Sequence, residues 1–341
     1  MKNIFYLFFA FLVFISTTRA QNNWRPLPIR SQQEFEQGLY GGEGEQHPHS
    51  IARSLNHPDY IYLSHDVGGA WKSTDAGETW QKCLDKGLYL PFGQSIMVDP
   101  NDPNIVFIIV DNSYNYLAQD FEGLYRSVDG GDNWQLVLQT DVNYNSGRHR
   151  IYRHNIEYDP TSGEGESPAT RWYAAFVNNG LFLSEDGGES WQKVGSLTGH
   201  STVYGVWCHP RDSSTVYVGT DKGFYVSSSR GENLVKSGDL PAGPVSSIAI
   251  HPQQPDIIYA TIRNDGMYRS ENSGANFSKI KDHPVSKIIL NPGFPSKLYL
   301  IGLNKNSIYS DDAGTTWNNF GPVSTFPGLG RESGWRRWID G

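Results

Sequence analysis

The sequence has little cysteine, little methionine and no excess of basic residues. Its 341 residues include 2 Cys and 3 Met, which excludes a disulfide-stapled scaffold. Asp and Glu number 36 against 28 Lys and Arg, a net charge of −8. This argues against a nucleic-acid partner, because no basic surplus is available to neutralise phosphates. What the chain does contain is 36 Gly, 19 Pro and 13% aromatic residues, a balance typical of many short strands joined by tight turns.

Only the N-terminus carries a long apolar run. Lys2 precedes an apolar segment of 13 residues, Ile4–Ser16, and Thr18-Arg19-Ala20 then offers small residues for cleavage. This pattern predicts a signal peptide over residues 1–20, removed before Gln21, because the run is shorter than the roughly 20 residues of a spanning helix. A membrane anchor is the alternative interpretation. We expect a secreted protein, extracellular or periplasmic, with no membrane attachment after cleavage.

An eight-residue pattern, S-x-D-x-G-x-x-W, recurs along the chain and is called the Asp-box here. Four full and two altered copies occupy residues 73–80, 127–134, 184–191, 310–317, 227–234 and 270–277. Upstream of each box lie apolar segments that predict strand A, a turn usually containing Pro, strand B, a second turn and strand C. A strand D follows the box, and the unit repeats about every 47 residues. The pattern predicts an all-β fold, a β-propeller of four-stranded blades.

The length of the chain allows a seventh blade beyond the six visible repeats. Residues 21–341, taken as one propeller, hold about seven units at this spacing. Trp24 followed by Leu27 and Ile29 is typical of an isolated strand D. We therefore expect segments 24–47 and 318–341 to close a seventh blade together. The alternative is that the chain is the N-terminal part of a longer protein.

The up-and-down strand order predicts two opposite faces of turns. The A–B and C–D turns share one face, where the Pro turns and Asp-boxes lie, and their shortness indicates a structural role. The B–C turns and D–A connections share the other face, called the rim below. The long segments all fall on the rim: Gly38–Ser50, Asp111–Gly123 and Gln139–Arg153. Loops that exceed their siblings on one face predict the functional site.

The repeats resemble those of the Asp-box (BNR) propeller superfamily, which includes sialidases, sortilin ectodomains, photosystem assembly factors and family 74 glycoside hydrolases. The segment Tyr62–Trp71, with its D-V-G-G-A-W core, is similar to the opening blade of family 74 xyloglucanases. That resemblance implies an inverting glycosidase with Asp66 as the general base. Such an enzyme needs a second carboxylate, about 6.5–9.5 Å from the first, to protonate the leaving oxygen.

The sequence leaves the partner of Asp66 open. In the family the partner comes from a second propeller, so a second propeller or a partner protein is one source. The candidates for completing the pair locally are Glu43, Glu45 and Asp120. Asp66 also has a structural interpretation, because Asp221 and Asp265 precede Gly in the same B–C turn of later repeats, where such residues are favoured without catalysis.

Aromatic, acidic and basic side chains on the rim are expected to bind a polysaccharide or oligosaccharide. Rings provide apolar platforms for sugar faces, and charged groups bind hydroxyls or carboxylates. The predicted binding residues are Tyr40, Glu43, His65, Tyr114, Tyr116, Arg148, His149 and Tyr152. The basic cluster 148–154 also allows a lyase, in which His or Tyr abstracts a proton beside a uronate, or simply a solvated loop. A sialidase is disfavoured, since Arg126 and Arg269 take a repeat position before box serines.

No zinc-ligand spacing, phosphate loop or nucleophile elbow occurs in the sequence, so neither a metal nor a cofactor is predicted. His209 and His251 precede turn prolines, as Asp99 does, and are predicted turn residues. Cys83 and Cys208 are predicted buried thiols.

The first functional hypothesis is a secreted, xyloglucanase-like hydrolase of β-glucan chains. The alternative is a non-catalytic propeller that binds glycan or protein, and a polysaccharide lyase is third.

Overall fold

The computed structural model is built from strands. It describes residues 48–65, 68–83, 86–88, 92–111, 121–142, 154–163, 165–176, 179–197, 199, 203–302 and 307–319. These residues form six antiparallel sheets of four strands each, paired in the order A-B-C-D. The four-stranded blades and the propeller predicted from the repeats are therefore confirmed.

The blades follow one another in chain order. Blades 1 to 3 comprise β1 (Pro48–Arg53), β2 (Ile61–His65), β3 (Gly69–Ser73), β4 (Gln81–Lys82); β5 (Phe92–Val98), β6 (Val106–Asp111), β7 (Gly123–Ser127), β8 (Gln135–Gln139); and β9 (Ile156–Tyr158), β10 (Trp172–Phe176), β11 (Gly180–Ser184), β12 (Gln192–Gly195). Blades 4 to 6 comprise β13 (Val203–Cys208), β14 (Val216–Thr220), β15 (Gly223–Ser227), β16 (Val235–Lys236); β17 (Val245–Ile250), β18 (Ile258–Ile262), β19 (Gly266–Ser270), β20 (Ser278–Asp282); and β21 (Val285–Leu290), β22 (Leu298–Gly302), β23 (Ile308–Ser310), β24 (Asn318–Asn319). Of the segment 318–341 predicted to help close a seventh blade, Asn318 and Asn319 belong to β24 of blade 6. The seventh blade stays a prediction, because residues 24–47 and 320–341 lie outside the described part.

The core consists of apolar layers between successive blades. Strand A of each blade contacts strand A of the next, which places these strands nearest the axis. Strand B carries a buried ring at its second position in blades 1 to 5: Tyr62, Phe107, Tyr173, Tyr217 and Tyr259. Phe107, for example, packs 4.5 Å from the Trp172 ring of the next blade. Side chains alternate along each strand, so one face of a blade meets its predecessor and the other its successor.

Each Asp-box forms a tight turn closed by its own side chains. In blade 3, Ser184 Oγ donates to Asp186 Oδ1 and accepts from the Gly188 N–H, both at 2.8 Å. Asp186 in turn accepts bonds from the backbone N–H and the hydroxyl of Ser190. The turn needs a positive φ at Gly188, +85°, which glycine adopts without strain. These contacts give the box serine and aspartate a structural role, as predicted.

The box aspartates make the fold sensitive to acid. Hydrogen bonds, first of all from the hydroxyl four residues on, lower the pKa of Asp75, Asp186 and Asp312 to about 2. A carboxyl group whose pKa is depressed in the folded state contributes stability above its unfolded pKa, near 3.9, and that contribution is lost as the pH falls toward 2. Replacing all three by Asn should therefore lower the melting temperature at pH 7 and flatten its decline between pH 4 and pH 2.

Blade 5 provides the control for this prediction, because Asn272 already fills the aspartate position there. Its Oδ1 accepts from the Ser270 hydroxyl and the Asn276 N–H, both at 2.9 Å. The reverse change, Asn272→Asp, should steepen the acid decline measured by calorimetry. Parallel melting curves for the triple variant and the parent chain across that pH range would contradict the assignment.

The residue before each turn proline closes the A–B turn. Asp99 Oδ1 accepts from the Asn101 N–H at 2.8 Å. His209 Nδ1 accepts in the same way from Arg211 at 3.1 Å, and His251 Nδ1 from Gln254 at 3.0 Å. Burial lowers the pKa of both histidines, which favours the neutral ring that can accept such a bond. The prediction that both are turn residues is confirmed.

Candidate functional site

The strand order fixes the contents of the two faces. The Pro turns link strands A and B, and the Asp-boxes link strands C and D, so both lie at one end of the blades. The B–C turns and D–A connections lie at the opposite end, the rim, as predicted. The first residues of strand A and the last residues of strand B therefore face the rim.

Buried polar side chains concentrate at the rim ends of blades 1 and 2. We call these residues the rim cluster: His49, Ser64, His65, Gln94 and Asp111. Each is at most 4% exposed. Polar groups are costly to bury, so their burial at the rim ends of two neighbouring blades requires a structural or a functional reason.

Two members of the rim cluster sit on irregularities of the innermost strands. The register of β1 shifts between Pro48 and Ser50, and that of β5 between Gly93 and Ser95, which leaves His49 and Gln94 at bulges. The same shift occurs at the start of strand A in blades 4, 5 and 6, so the bulge is a feature of the repeat that redirects one side chain out of the normal alternation. His49 Nδ1 lies 2.8 Å from the Gly93 carbonyl oxygen, a bond that ties blade 1 to blade 2.

His65 is the one predicted binding residue within the described ranges. It is 1% exposed, and its ring lies 6.1 Å from that of Trp71 on the face of blade 1 turned away from blade 2. The structure therefore places His65 beneath the rim surface, and its contact with a glycan stays a prediction.

The other predicted site residues lie outside the described part of the chain. These are the proposed base Asp66, the predicted binding residues Tyr40, Glu43, Tyr114, Tyr116, Arg148, His149 and Tyr152, and the further partner candidates Glu45 and Asp120. Their roles remain predictions. The structure does describe the strand before Asp66, which directly follows His65, the last residue of β2.

Asp111 is a buried carboxyl group that sequence reasoning did not single out. His65 pairs with Gly69 and Val110 pairs with Gly123, so Asp66 and Asp111 follow equivalent residues of strand B. The signal was present in the sequence, where S-H-D and I-V-D end the two strands. The long segment that follows Asp111 concealed it, because the other B–C turns are short.

Asp265, in the B–C turn of blade 5, has a structural use. It accepts from Lys279 Nζ at 2.8 Å and from the Tyr268 hydroxyl, and these hydrogen bonds lower its pKa. The structural interpretation of an aspartate before glycine is therefore confirmed for Asp265, whose carboxylate pairs with Lys279 on β20, the outermost strand of the blade.

Two acidic residues, Glu122 and Glu157, accept hydrogen bonds from residues at the two ends of the connection between blades 2 and 3. Glu122 is buried, its Oε2 accepts from the Val142 N–H at 3.2 Å, and burial raises its pKa. Glu157 Oε2 lies 2.6 Å from His154 Nε2, and the His154 ring stacks on Trp207 at 5.4 Å. His154 and Val142 therefore bracket the basic segment 143–153 with fixed ends.

Cys83 and Cys208 are both buried, which confirms their prediction, and burial raises the pKa of the Cys208 thiol. Among the described residues, no helix has the length and apolar character needed to cross a membrane. The same residues contain no group of three His, Cys, Asp or Glu side chains placed to hold a metal ion.

Comparison with known proteins shows which proteins this chain is similar to. The chain is 26% identical over 254 residues to the xyloglucanase Xgh74A of Acetivibrio thermocellus, an alignment that covers 72% of this chain. Its curated relatives are xyloglucanases. A second, the oligoxyloglucan-reducing end-specific xyloglucanase of Emericella nidulans, is 25% identical over 242 residues and is matched over 66% of this chain. The resemblance predicted from the Tyr62–Trp71 segment is confirmed.

The chain spans about a quarter of the length of these relatives, 27% and 28% respectively. No profile of a known protein family matches it. The solved structure of the Niastella koreensis GH74 enzyme superposes with a TM-score of 0.64 at 17% identity, covering 87% of this chain and 49% of that one. YCF48 from Cyanidioschyzon merolae superposes with a TM-score of 0.58 at 16% identity, covering 82% and 86%. At these identities the structural matches establish the propeller fold alone.

Proposed function

We propose that this chain is a secreted glycoside hydrolase that cleaves xyloglucan-type β-glucans at the rim of its propeller, with Asp66 as the general base. The observation that carries the proposal is the similarity to xyloglucanases over 254 residues. The apolar run at Ile4–Ser16 supports secretion. The resemblance of the segment Tyr62–Trp71 to family 74 enzymes supports the assignment of the base. Asp66 directly follows β2 at its rim end.

The chemistry proposed is a single displacement at the anomeric carbon. The carboxylate of Asp66 takes a proton from a water molecule as that water attacks, while a second carboxyl group gives its proton to the departing glycosidic oxygen. The carbon–oxygen bond to the leaving sugar breaks as the bond to water forms, so a β-linkage yields an α-anomer. The rim cluster lies directly beside the end of β2 that leads to Asp66, and the bond between His49 and the Gly93 carbonyl oxygen fixes blade 1 against blade 2 at this end.

The test is a panel of soluble polysaccharides: xyloglucan, mixed-linkage β-glucan, carboxymethyl cellulose and polygalacturonate. We expect reducing ends to be released from xyloglucan at least tenfold faster than from polygalacturonate, with the α-anomer as the first product by proton NMR. Retardation in gels containing xyloglucan without release of reducing ends would indicate the non-catalytic binder instead. An unsaturated product from polygalacturonate would indicate the lyase. The absence of both binding and reducing-end release would contradict the proposal.

A further inference from the structure

A hydrogen-bonded pair of side chains lies between the innermost strands of blades 3 and 4. His154 lies two residues before β9, and its Nε2 is 2.6 Å from Oε2 of Glu157 on that strand. Glu157 Oε1 also accepts from the Tyr158 N–H at 3.0 Å, which holds the carboxylate in place. The backbone of His154 forms a parallel bridge with Gly205 of β13, so the pair is fixed against blade 4.

The ring of His154 rests on an indole for which two glycines make room. It stacks on Trp207 of β13, with the ring centroids 5.4 Å apart and the ring planes 18° apart. A Cβ at Gly205 would lie 2.7 Å from the indole, and one at Gly219 would lie 3.3 Å from it. Because protein interiors are close-packed, larger residues at these two positions would displace the indole and the imidazole stacked on it.

Glu157 and Trp207 both occupy the strand A position that faces the second residue of strand B. Glu157 pairs there with Tyr173, and Trp207 pairs with Tyr217. The other four blades carry uncharged, non-aromatic residues at this position: Ala52, Met97, Ala249 and Ile289. Packing of a blade therefore requires neither a carboxylate nor an indole here. Two neighbouring departures from a repeat that the fold does not need indicate a functional role.

The pair leaves one ring nitrogen of His154 open to a ligand. A carboxylate only accepts, so Nε2 carries the proton that is shared with Glu157. Within the described ranges, Nδ1 of His154 has no hydrogen-bond partner, and it is in contact with solvent. The bond at Nε2 fixes the tautomer, so Nδ1 accepts in the neutral ring and donates in the charged ring. A sugar hydroxyl can both donate and accept, and so can bond Nδ1 in either state.

The exposed part of the pair opens toward the axis of the propeller at the rim. The side chains of His154 and Glu157 are 18% and 15% exposed. Strand A is the innermost strand, and Tyr173, behind Glu157 on strand B, is fully buried. Solvent therefore reaches the pair from the axial side, and His154 lies at the end of strand A that faces the rim.

We propose that His154 and Glu157 form a binding subsite for a hydroxyl group of a glycan on the axial side of blades 3 and 4. The subsite rests on the proposed function, from which it takes its ligand class, a β-glucan-type polysaccharide. Nδ1 of His154 forms the hydrogen bond to the sugar, and Glu157 orients the ring through Nε2. Blades follow chain order around the axis, so this subsite lies across the axis from blade 1 and contacts a polymer that spans the rim.

Footprinting of the unmodified full chain with diethyl pyrocarbonate tests the contact directly. This reagent acylates accessible imidazole nitrogens, and peptide mass spectrometry identifies each modified histidine. We expect xyloglucan, in excess over its Kd, to slow modification of His154 about threefold or more. His57 is the control, because it is exposed in the A–B turn of blade 1, at the end opposite the rim, and its rate should not change.

The variant His154→Phe tests the same contact by affinity. Phenylalanine keeps a ring against Trp207 but has no nitrogen, so we expect Kd for xyloglucan to rise about three- to tenfold, as for the loss of one hydrogen bond. Isothermal titration calorimetry measures this change. Lys72→Met is the matched control, since it removes another partly buried ion pair, with Asp132 at 2.9 Å, at the box end. It should leave Kd unchanged even where it lowers the melting temperature as much.

Two results would overturn the subsite alone. These are equal modification of His154 with and without xyloglucan, and an unchanged Kd in His154→Phe, in a chain whose unmodified form binds xyloglucan and releases its reducing ends. An unmodified chain that neither binds xyloglucan nor releases reducing ends would instead overturn the proposed function, and the subsite with it.

Discussion

Replacing Asp66 by Asn should lower kcat on xyloglucan by about 10²- to 10⁴-fold, because a positioned general base contributes a factor of that size and an amide cannot accept the proton of the attacking water. Affinity for xyloglucan should change little, since the amide keeps the size of the side chain. Reducing-end release and gel retardation measure the two effects separately. Hydrolysis of a dinitrophenyl β-glycoside of a cello-oligosaccharide, whose leaving group needs no protonation, should be lost as well, because it still requires the water to be activated.

Asp265→Asn is the matched control for this prediction. It replaces an aspartate of another B–C turn, and its carboxylate pairs with Lys279 at 2.8 Å. We expect it to lower stability slightly, as exposed ion pairs contribute about 0–1 kcal/mol, and to leave kcat unchanged. Full activity in Asp66→Asn, or equal loss in both variants, would remove Asp66 as the base.

Gly123→Ala should destabilise the fold far more than Gly223→Ala, although both glycines open strand C at the same repeat position. Their φ angles are +141° and +136°, so the backbone strain of an alanine is nearly equal at the two sites. The surroundings differ. A Cβ on Gly123 would lie 2.0 Å from the Leu138 carbonyl oxygen, whereas one on Gly223 meets only the flexible end of Lys236 at 2.9 Å.

The two glycine variants therefore separate strain from steric clash. We expect Gly223→Ala to cost about 1–2 kcal/mol from φ alone. Gly123→Ala should cost about 2–5 kcal/mol, because moving the β8 backbone away adds about 1–3 kcal/mol of overpacking. Thermal unfolding should place the two melting temperatures about 1–5 °C apart. Equal melting temperatures would show that β8 yields freely, contrary to its tight pairing with β7.

The repeats made the fold predictable from sequence. The Asp-box and the turn proline recur in every unit and each has a local physical role, so six blades and the assignment of turns to faces follow directly. His209 and His251 were identifiable as turn residues by alignment with Asp99, because a ring nitrogen accepts the same bond as a carboxylate.

The site was less predictable, because its residues depart from the repeat. Asp111 belongs to the same strand position as Asp66, but a long following segment places it in an apparent loop. His65 carries a side chain typical of a binding surface, yet its strand position turns it inward toward Trp71. Periodicity assigns a residue to a strand and a face, whereas the depth of burial depends on neighbouring segments far away in sequence.

The Asp-boxes lie at the end of the blades opposite the rim, so the protein can be attached to a surface without covering the rim. Strands of about five residues place the two faces roughly 17 Å apart. Val128, inside the box of blade 2, is 58% exposed, and the two native thiols, Cys83 and Cys208, are buried. A cysteine placed at residue 128 would be the accessible thiol within the described ranges. Chemical coupling through it would anchor the protein by its structural end and leave the opposite end turned toward an approaching polymer.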